Sequence, residues 1–413
     1  MLVEQITDVV QQLANESLGT EENGVAVVDI ENVISTAKTV YDALGLDNYV
    51  KRLINHIGKV VFVNRPYKAK APNVLMDGWE FGSILEKIDS DLPDSQQNMS
   101  WSLQDGTEYN QDIFKGAKNV RAYFFNDKTT YEIQISITEM QVQESFSNIN
   151  QLNGFFSMIF TKINNKIELD NRNLIMTTIN NMIAATIYKN FSTLRQEDGT
   201  FNFGNNSKVS AINILGLYKE TNPNRLTPEE LATLTPSNCL QDTNFIKFAA
   251  LQIALTSERM SDYSTLYNIG ARERFTPSEF QKLVLLSEFA KSADIYLQSS
   301  TFHDEYTKLP KSETVVYWQG TGKDYSFSST SKINLSNTNF INEAGETQGE
   351  NTQVQLTGIL GVLFDRDALG INNYNRRVPS HFNAKGEFVN YFYKIDARYF
   401  NDYNENFVVF FVA

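Results

Sequence analysis

The sequence predicts an α+β protein, and three observations predict it. Apolar residues recur at helical spacing in separate blocks: near the start, between about 141 and 187, and at 243–260. Runs rich in β-branched and aromatic residues stand at 59–67, 119–137 and 388–412. Between the first two strand regions lies a long polar tract, 89–112, of a length uncommon in a compact domain unless it is functional.

Leu2, Val3, Ile6, Val9, Val10 and Leu13 line one face of a helix whose other face is Glu, Gln and Asp. "DIENVISTAKTVYDALG" repeats the pattern, and Gly45 supplies a C-terminal stop. "DNYVKRLINHIG" ends in the same way at Gly58. The first 58 residues are therefore short helices joined by polar turns, more an arm than a domain. "KVVFVNRPY" (59–67) is a strand broken by Pro66. After the polar tract, strands return in "NVRAYFFN" (119–126) and "YEIQISI" (131–137), with "NDKT" as the turn between them. A long hairpin reaching toward a neighbour accounts for this layout.

The strongest helical block comes next. "VQESFSNINQLNGFFSMIFTKINNK" places Phe146, Ile149, Leu152, Phe156, Ile159 and Ile163 on one stripe. "LDNRNLIMTTINNMIAATIYKNF" continues it with Ile175, Ile179, Met182, Ile183 and Ile187. "TNFIKFAALQIALTSERM" is a further helix over about 243–260. From Thr276 the elements shorten: "LVLLS" is an apolar run with a helix after it, and 321–353 reads as loops with weak strands. The closing "EFVNYFYKIDARYFNDYNENFVVFFVA" reads as two strands, the second at Phe407–Val412. No internal repeat, coiled-coil heptad run or disordered tail is visible.

At 413 residues the chain suggests about two or three domain-sized units, and 41% hydrophobic residues are ample for a core. Aromatics reach 12%, with 28 Phe and 19 Tyr, and such residues dominate both cores and interfaces. A net charge of -13 repels polyanions and argues against groove recognition of DNA. The one cysteine, Cys239, excludes an intrachain disulfide and a Cys zinc cluster; a buried structural thiol is the favoured reading over a nucleophile. His56, His303 and His381 lie far apart in sequence. The acidic N-terminus lacks the basic region of a signal peptide, and no stretch approaches the roughly 18 apolar residues of a membrane span. The chain is expected to be made in a cytoplasm.

Three motifs invite chemistry. "DRDALGINNYNR" offers Asp365, Asp367 and Gly370 at the spacing of a calcium loop, but Leu369 and Arg376 stand where ligands are required. "GTGKD" (320–324) has the wrong spacing for a phosphate loop, and Asp324 would repel phosphate. "HDE" (303–305) lacks the second histidine of a zinc protease helix. A Gly-x-Ser-x-Gly elbow is absent. No catalytic, cofactor-binding or metal-binding residue is assigned. "DRDALG" is expected to be a strand end and a corner, with Asp365 capping the turn or short helix after it.

Two stretches carry a resemblance. They are "FKGAKNVRAYFFNDKTTYEIQISITEMQVQESFSNINQLNGFFSMIFTKINNKIELD" and "GILGVLFDRDALGINNYNRRVPSHFNAKGEFVNYFYKIDARYFNDYNENFVVFFV". Together with the order of elements they resemble the major capsid proteins of tailed double-stranded-DNA phages, with the Hong Kong 97 capsid fold, nearest to short-tailed phages of the Picovirinae type. The resemblance covers most of the chain, and it rests on order and texture rather than on any one motif. It implies an N-terminal arm (1–58) and an extended β-hairpin loop across a neighbouring subunit (59–140). It further implies a peripheral domain with a long spine helix (141–265 and 370–413) and an axial domain (266–369). Some relatives add a C-terminal immunoglobulin-like domain, and none is expected here.

The implied function is an icosahedral shell around a phage genome, assembled from hexamers and pentamers of the chain itself. Expected partners are a scaffolding protein, a portal protein and packaged double-stranded DNA, enclosed without sequence-specific binding. A net-negative shell lets DNA slide out again. The candidate contacts between subunits are Lys68, Lys70, Trp79, Phe81, Trp101, Arg366, Arg376 and Arg377. The three aromatics sit on an otherwise polar excursion, where exposure is costly unless a partner covers them. The alternatives are an encapsulin-type compartment, a soluble hydrolase, and a shell whose Lys68 or Lys70 crosslinks to a neighbour's Asn. Reversing the charge at Arg376 and Arg377 is expected to impair assembly and leave the subunit folded, which particle yield and circular dichroism would show.

Overall fold

The computed structural model describes residues 65–68, 71–74, 85–95, 105–106, 116, 118–125, 128–138, 149–298, 312–318, 331–335, 352–386 and 388–413. The helices expected before residue 58, residues 59–64 of the strand expected at 59–67, residues 141–148 of the expected helical block, and the motifs at 303–305 and 320–324 lie outside these, and residues 65–67 form no strand. The chain divides into two compact units. One comprises residues 1–67, 135–166 and 380–391; the other comprises 68–134, 167–379 and 392–413.

The larger unit is organised on a five-stranded sheet. Its strands are β4 (Ala211–Asn213), β5 (Gln281–Leu286), β6 (Ser312–Val315), β9 (Ile359–Asp365) and β13 (Phe407–Phe411), in the order β4-β13-β9-β5-β6. β9 is antiparallel to both β13 and β5, while the two edges, β4 and β6, pair in parallel. Every residue of β9 and β13 is buried. This is why both read as continuous apolar runs and not as alternation. Gly361 falls inside β9 because a Cβ there would come 2.8 Å from the Val284 carbonyl and 2.5 Å from the Leu285 side chain. Gly358, at the turn into β9, has φ +73, and a Cβ would lie 2.3 Å from the Val412 carbonyl. The sheet takes β4 and β13 from the ranges expected to be peripheral, and β5, β6 and β9 from the range expected to be axial.

Helices cover this sheet. The helical block after residue 141 is one helix, α1 (Ile149–Phe191), 43 residues long. In the larger unit its residues Met182–Tyr188 are buried without interruption, so the helix is enclosed all round there and not only on one stripe. Arg172 is buried with its Nη1 donating to the Tyr317 hydroxyl at 2.7 Å and its guanidinium 4.5 Å from the Tyr317 ring centroid. Asn180 donates to the Trp318 carbonyl at 2.8 Å, and the Trp318 indole donates to the Ile359 carbonyl at 2.9 Å. These bonds tie α1 to the sheet through the segment after β6.

Two short helices and two longer ones complete the layer: α2 (Ile214–Thr221), α3 (Pro228–Thr233), α4 (Thr243–Met260) and α5 (Ser287–Gln298). Their starts are written in the sequence. Asn213 caps α2 by accepting from Gly216 N, and Asp242 caps α4 by accepting from Phe245 N at 2.8 Å. "TPEE" makes a capping box at α3, in which the Thr227 side chain and Glu230 satisfy each other's backbone N–H groups. Phe191, Phe203 and Phe411 pack where α1 meets β13, with ring centroids 4.7 to 6.0 Å apart. Cys239 is fully buried, and burial pushes its thiol up to about 12, so it is a packing residue.

β10 (Leu369–Arg377) runs antiparallel to the later part of β12 (Phe388–Asn401), from Leu369↔Asn401 to Arg377↔Lys394 with a bulge at Asn373/Asn375. β3 (Lys128–Thr138) lies against the same part of β12. There the Thr130 hydroxyl donates to Asp396 at 2.8 Å, and Lys394 pairs with Glu132 at 2.9 Å. β7 (Ser331–Leu335) and β8 (Thr352–Leu356) form an antiparallel pair of their own. In the smaller unit, β11 (Ser380–Asn383) pairs with residues 388–391, and Ser136 donates to Asn390 at 2.5 Å. Asn165 there clamps the extended segment at 65–67, accepting from Tyr67 N at 2.7 Å and donating to the Arg65 carbonyl at 2.9 Å.

The "DRDALG" corner is as the sequence indicates. β9 ends at Asp365 and β10 begins at Leu369. Asp365 accepts from Asp367 N at 2.8 Å and from the Thr276 hydroxyl at 2.8 Å, and Ala368 N closes the turn on the Asp365 carbonyl. Burial raises the Asp365 carboxyl above the usual range. Both of its carboxylate oxygens are engaged in forming the turn. The helix α1 is expected to be the most sensitive element: Ile183→Ala, at a fully buried position, should cost about 2–5 kcal/mol in chemical denaturation.

Candidate inter-subunit interface

β1 (Leu85–Asp91) and β2 (Lys118–Phe125) form a two-stranded antiparallel sheet, with Leu85 opposite Phe125 and Asp89 opposite Arg121. The sequence pattern turns the strand at 119–126 back onto 131–137. In the structure it pairs instead with β1, and β3, which already includes Lys128 and Thr129 of "NDKT", goes to β12, so the two strands belong to different sheets.

Side chains alternate between the two faces of a strand, so each face of this ribbon has its own composition. Leu85, Lys87, Asp89, Asp91, Arg121, Tyr123 and Phe125 are half-buried on the inner face, so its ions are flanked by apolar side chains. Glu86, Ile88, Ser90, Val120, Ala122 and Phe124 point outward. The order is inverted relative to an ordinary surface ribbon: the ions face in, and Ile88 at 69%, Phe124 at 63% and Val120 at 58% exposure face out. Leu92, 48% exposed, continues the outer face toward Tyr263 and Phe275, whose rings lie 4.5 Å apart.

The inner ions have partners waiting. Lys87 Nζ donates to the Asp367 carbonyl at 2.5 Å and to Asp402 at 2.9 Å, and sits 5.0 Å from the Phe400 ring centroid. Asp89 receives both Nη groups of Arg274, at 3.1 and 2.7 Å, a bidentate geometry that fixes the register of the ribbon. That hydrogen bonding holds the Asp89 carboxyl below the usual carboxylate range. Glu405 stands 3.4 Å from Arg274 Nε and 3.9 Å from Lys87 Nζ. Burial pushes its carboxyl up to about 7 in spite of both cations. Phe125 adds an apolar anchor, its ring 5.2 Å from Phe400. The ribbon is thus attached to its subunit by the face that carries its ions, and the described residues leave its other, more apolar face uncovered.

The residues expected from the sequence fall in several places. Lys70, Trp79, Phe81 and Trp101 lie outside the described residues, and Lys68 is exposed in an extended segment. Arg366 stacks on Phe280 with its guanidinium 3.9 Å from the ring centroid and stays half-exposed beside Asp367. Arg376 is exposed on β10, and none of the described residues forms an ion pair with it. Arg377 donates to Asp396 at 2.6 and 3.3 Å, so its guanidinium is partly engaged within the chain. Burial alone would raise Asp396; the Thr130 hydroxyl and the Arg377 charge outweigh it and hold the carboxyl low. The ribbon residues Ile88, Val120 and Phe124 are not among the sequence candidates. Their signal is the two-residue period of "LEKIDSD" and "KNVRAYFF", whose charged set reads as the solvent face when taken alone.

Among the described residues no group of acids, histidines or cysteines could hold a metal, and no helix is long and apolar enough to cross a membrane. A chain with a buried body and an apolar ribbon turned outward has the makings of a structural subunit. It belongs to the Phi29-like phage major capsid protein family, whose sequence model matches residues 10–411. Nothing among the curated proteins matches. Among solved structures the chain is similar to one in the capsid of Staphylococcus phage Andhra, with TM-score 0.48, 9% identity, and coverage of 86% of this chain and 87% of that one. It is similar to the same degree, with the same identity and coverage, to a chain in the structure of the head fiber and inner core protein of native bacteriophage P68. The capsid of cyanophage P-SCSP1u gives TM-score 0.41 at 9% identity, over 87% of this chain and 94% of that one. The protein is accordingly a structural component of the virion, a shell-forming capsid subunit and not an enzyme.

Charge reversal can now be divided between the two arginines. Arg377→Glu should lower stability by roughly 1–3 kcal/mol, because it strands the Asp396 carboxylate against a like charge. Arg376→Glu should leave the melting temperature unchanged, and any loss of particles in that variant reports on contacts between subunits.

Proposed function

We propose that the chain takes the Hong Kong 97 form of the capsid fold, and that the ribbon β1–β2 belongs to an extended loop covered by a neighbouring copy in an icosahedral shell. The observation that carries this reading is the inverted ribbon: Ile88, Val120 and Phe124 exposed on one face, with Lys87 and Asp89 locked to the body on the other. Covering each of these side chains stabilises by up to roughly 2 kcal/mol, and a closed shell repeats the contact many times. In this reading residues 1–58 are the arm and 59–140 the extended loop, with Lys68, Lys70, Trp79, Phe81 and Trp101 along it as further contacts. Arg366 and Arg376 are exposed cations placed to set register against an acidic neighbour.

Three other partners belong to the reading. A shell that closes at one size uses a scaffolding protein, and one that fills with DNA uses a portal. The genome is enclosed without sequence-specific binding, which a net charge of -13 supports. The double substitution Ile88→Thr, Phe124→Thr tests the ribbon. Expressed with the scaffold gene, it should give a folded subunit with the wild-type melting temperature and few or no closed particles by electron microscopy. Normal particle yield would contradict the assignment.

A further inference from the structure

We infer that the β1–β2 ribbon is fastened to its own subunit by a proton-dependent latch, closed in mild acid and loosened as pH rises to neutrality. The consequence for assembly rests on the ribbon being an inter-subunit contact; the latch itself is a property of the single chain.

Four parts of the chain bring charged groups together. Lys87 and Asp89 come from β1, Arg274 from the loop between α4 and β5, Asp402 and Glu405 from the turn between β12 and β13, and Asp365 from the end of β9. The inner cluster holds two cations, Lys87 and Arg274, against three carboxylates, Asp89, Asp402 and Glu405. Asp365 stands behind them, occupied by Thr276 and Asp367 N. If every carboxylate is ionised, the half-buried cluster carries excess negative charge under the ribbon, where water screens it less than at an open surface.

The geometry decides which group gives way. Asp89 has the bidentate pair with Arg274, and Asp402 has Lys87 at 2.9 Å and also accepts from Asn404 N at 3.0 Å. Among the described residues Glu405 has only the 3.4 and 3.9 Å approaches, and Arg274 Nε is left without a hydrogen-bond partner despite its nearness. The proton therefore goes to Glu405. This agrees with a carboxyl pushed up to about 7 by burial, with Asp402 and Asp365 adding to the rise and Lys87 and Arg274 opposing it.

The sign comes from linkage. Lifting the ribbon exposes Glu405 to water and returns it toward the ordinary 4.5, so the closed state binds more protons than the open one. Closure is therefore strongest below 4.5, weakens as pH rises to about 7, and changes no further above that. Asp89, held low by Arg274, stays ionised across this range and contributes no slope.

Hydrogen–deuterium exchange on the full-length, unassembled subunit tests this. Exchange of peptides covering 85–91 and 118–125 would be measured at pH 5 and pH 8 and corrected for intrinsic amide rates. The latch predicts an open fraction, and so an exchange, larger at pH 8 by up to about 70-fold, from a carboxyl at about 7 when closed and 4.5 when open. Glu405→Gln should make exchange slow and equal at both pH values, within about twofold. Glu405→Met serves as a second neutral variant if Gln fails to fold. Equal wild-type exchange at both pH values, or neutral variants that keep the wild-type pH dependence, would overturn the latch. Either result would leave the ribbon's role in assembly to stand or fall on the Ile88/Phe124 variant.

Discussion

The constraint on which the rest depends is the two-residue alternation of β1 and β2. A ribbon has two faces, and its side chains cannot choose among more than two directions. Once Lys87 and Asp89 are committed inward to Asp402 and Arg274, Ile88 between them must point outward, and so must Val120 and Phe124 on the paired strand. The apolar outer face is a direct consequence of the ionic inner one. Sliding the ribbon by one residue would exchange the faces, leaving the charges in water and the Arg274 and Asp402 partners unpaired. Each ion pair therefore specifies register more than it adds stability.

The body supplies what the ribbon needs. Asp402 and Glu405 stand on the turn between β12 and β13, and the carbonyl that receives Lys87 belongs to Asp367 at the β9–β10 corner. Both sites are held by the central sheet. Asp365 N bonds to the Asn406 carbonyl, Asp402 N bonds to the Ala368 carbonyl at 2.7 Å, and Phe407 begins the fully buried β13. The "DRDALG" sequence is thus a joint. It turns the chain from the central sheet to β10, and its backbone takes up the base of the ribbon. Its acids resemble a metal loop only in spacing, because the structure engages them with Thr276, with their own backbone and with Arg366. A capsid subunit must stay rigid in its body while presenting a surface for other copies, and this joint serves both ends.

Much of this is legible in the sequence, and the rest is hidden for identifiable reasons. The long helix, α4, α5 and the strands at 118–125, 128–138, 388–401 and 407–411 all stand where the spacing of apolar residues or, at 407–411, an unbroken apolar run puts them. The pairing of β2 is not legible. "NDKT" lies between two strands, and a hairpin is the simplest inference, but pairing is chosen by the tertiary surface, and β1 is the partner. β1 itself ends in the polar run "DSDLPD", whose acids suggest a solvated loop. Asp89 and Asp91 read as solvent-facing because nothing local reveals Arg274 and Arg272, which lie far along the chain. The short helices α2 and α3 do not show in the apolar periodicity, although Asn213 and the "TPEE" capping box announce them. The arginines at 366, 376 and 377 stand out in the sequence as a class. Only coordinates separate Arg377, bonded to Asp396, from Arg376, which stands free of the described acids.

The most direct measurement is the accessibility of the ribbon's outer face before and after assembly. Cys239 is the only native cysteine and is fully buried, so Val120→Cys places a single reactive thiol on that face. Its rate of alkylation would be compared in free subunits and in closed shells. Rapid labelling of the free subunit and strong protection in the shell are expected, with labelling restored when the shell is dissociated. Equal labelling in both states would show that no neighbour covers the ribbon, and would contradict the account at its centre.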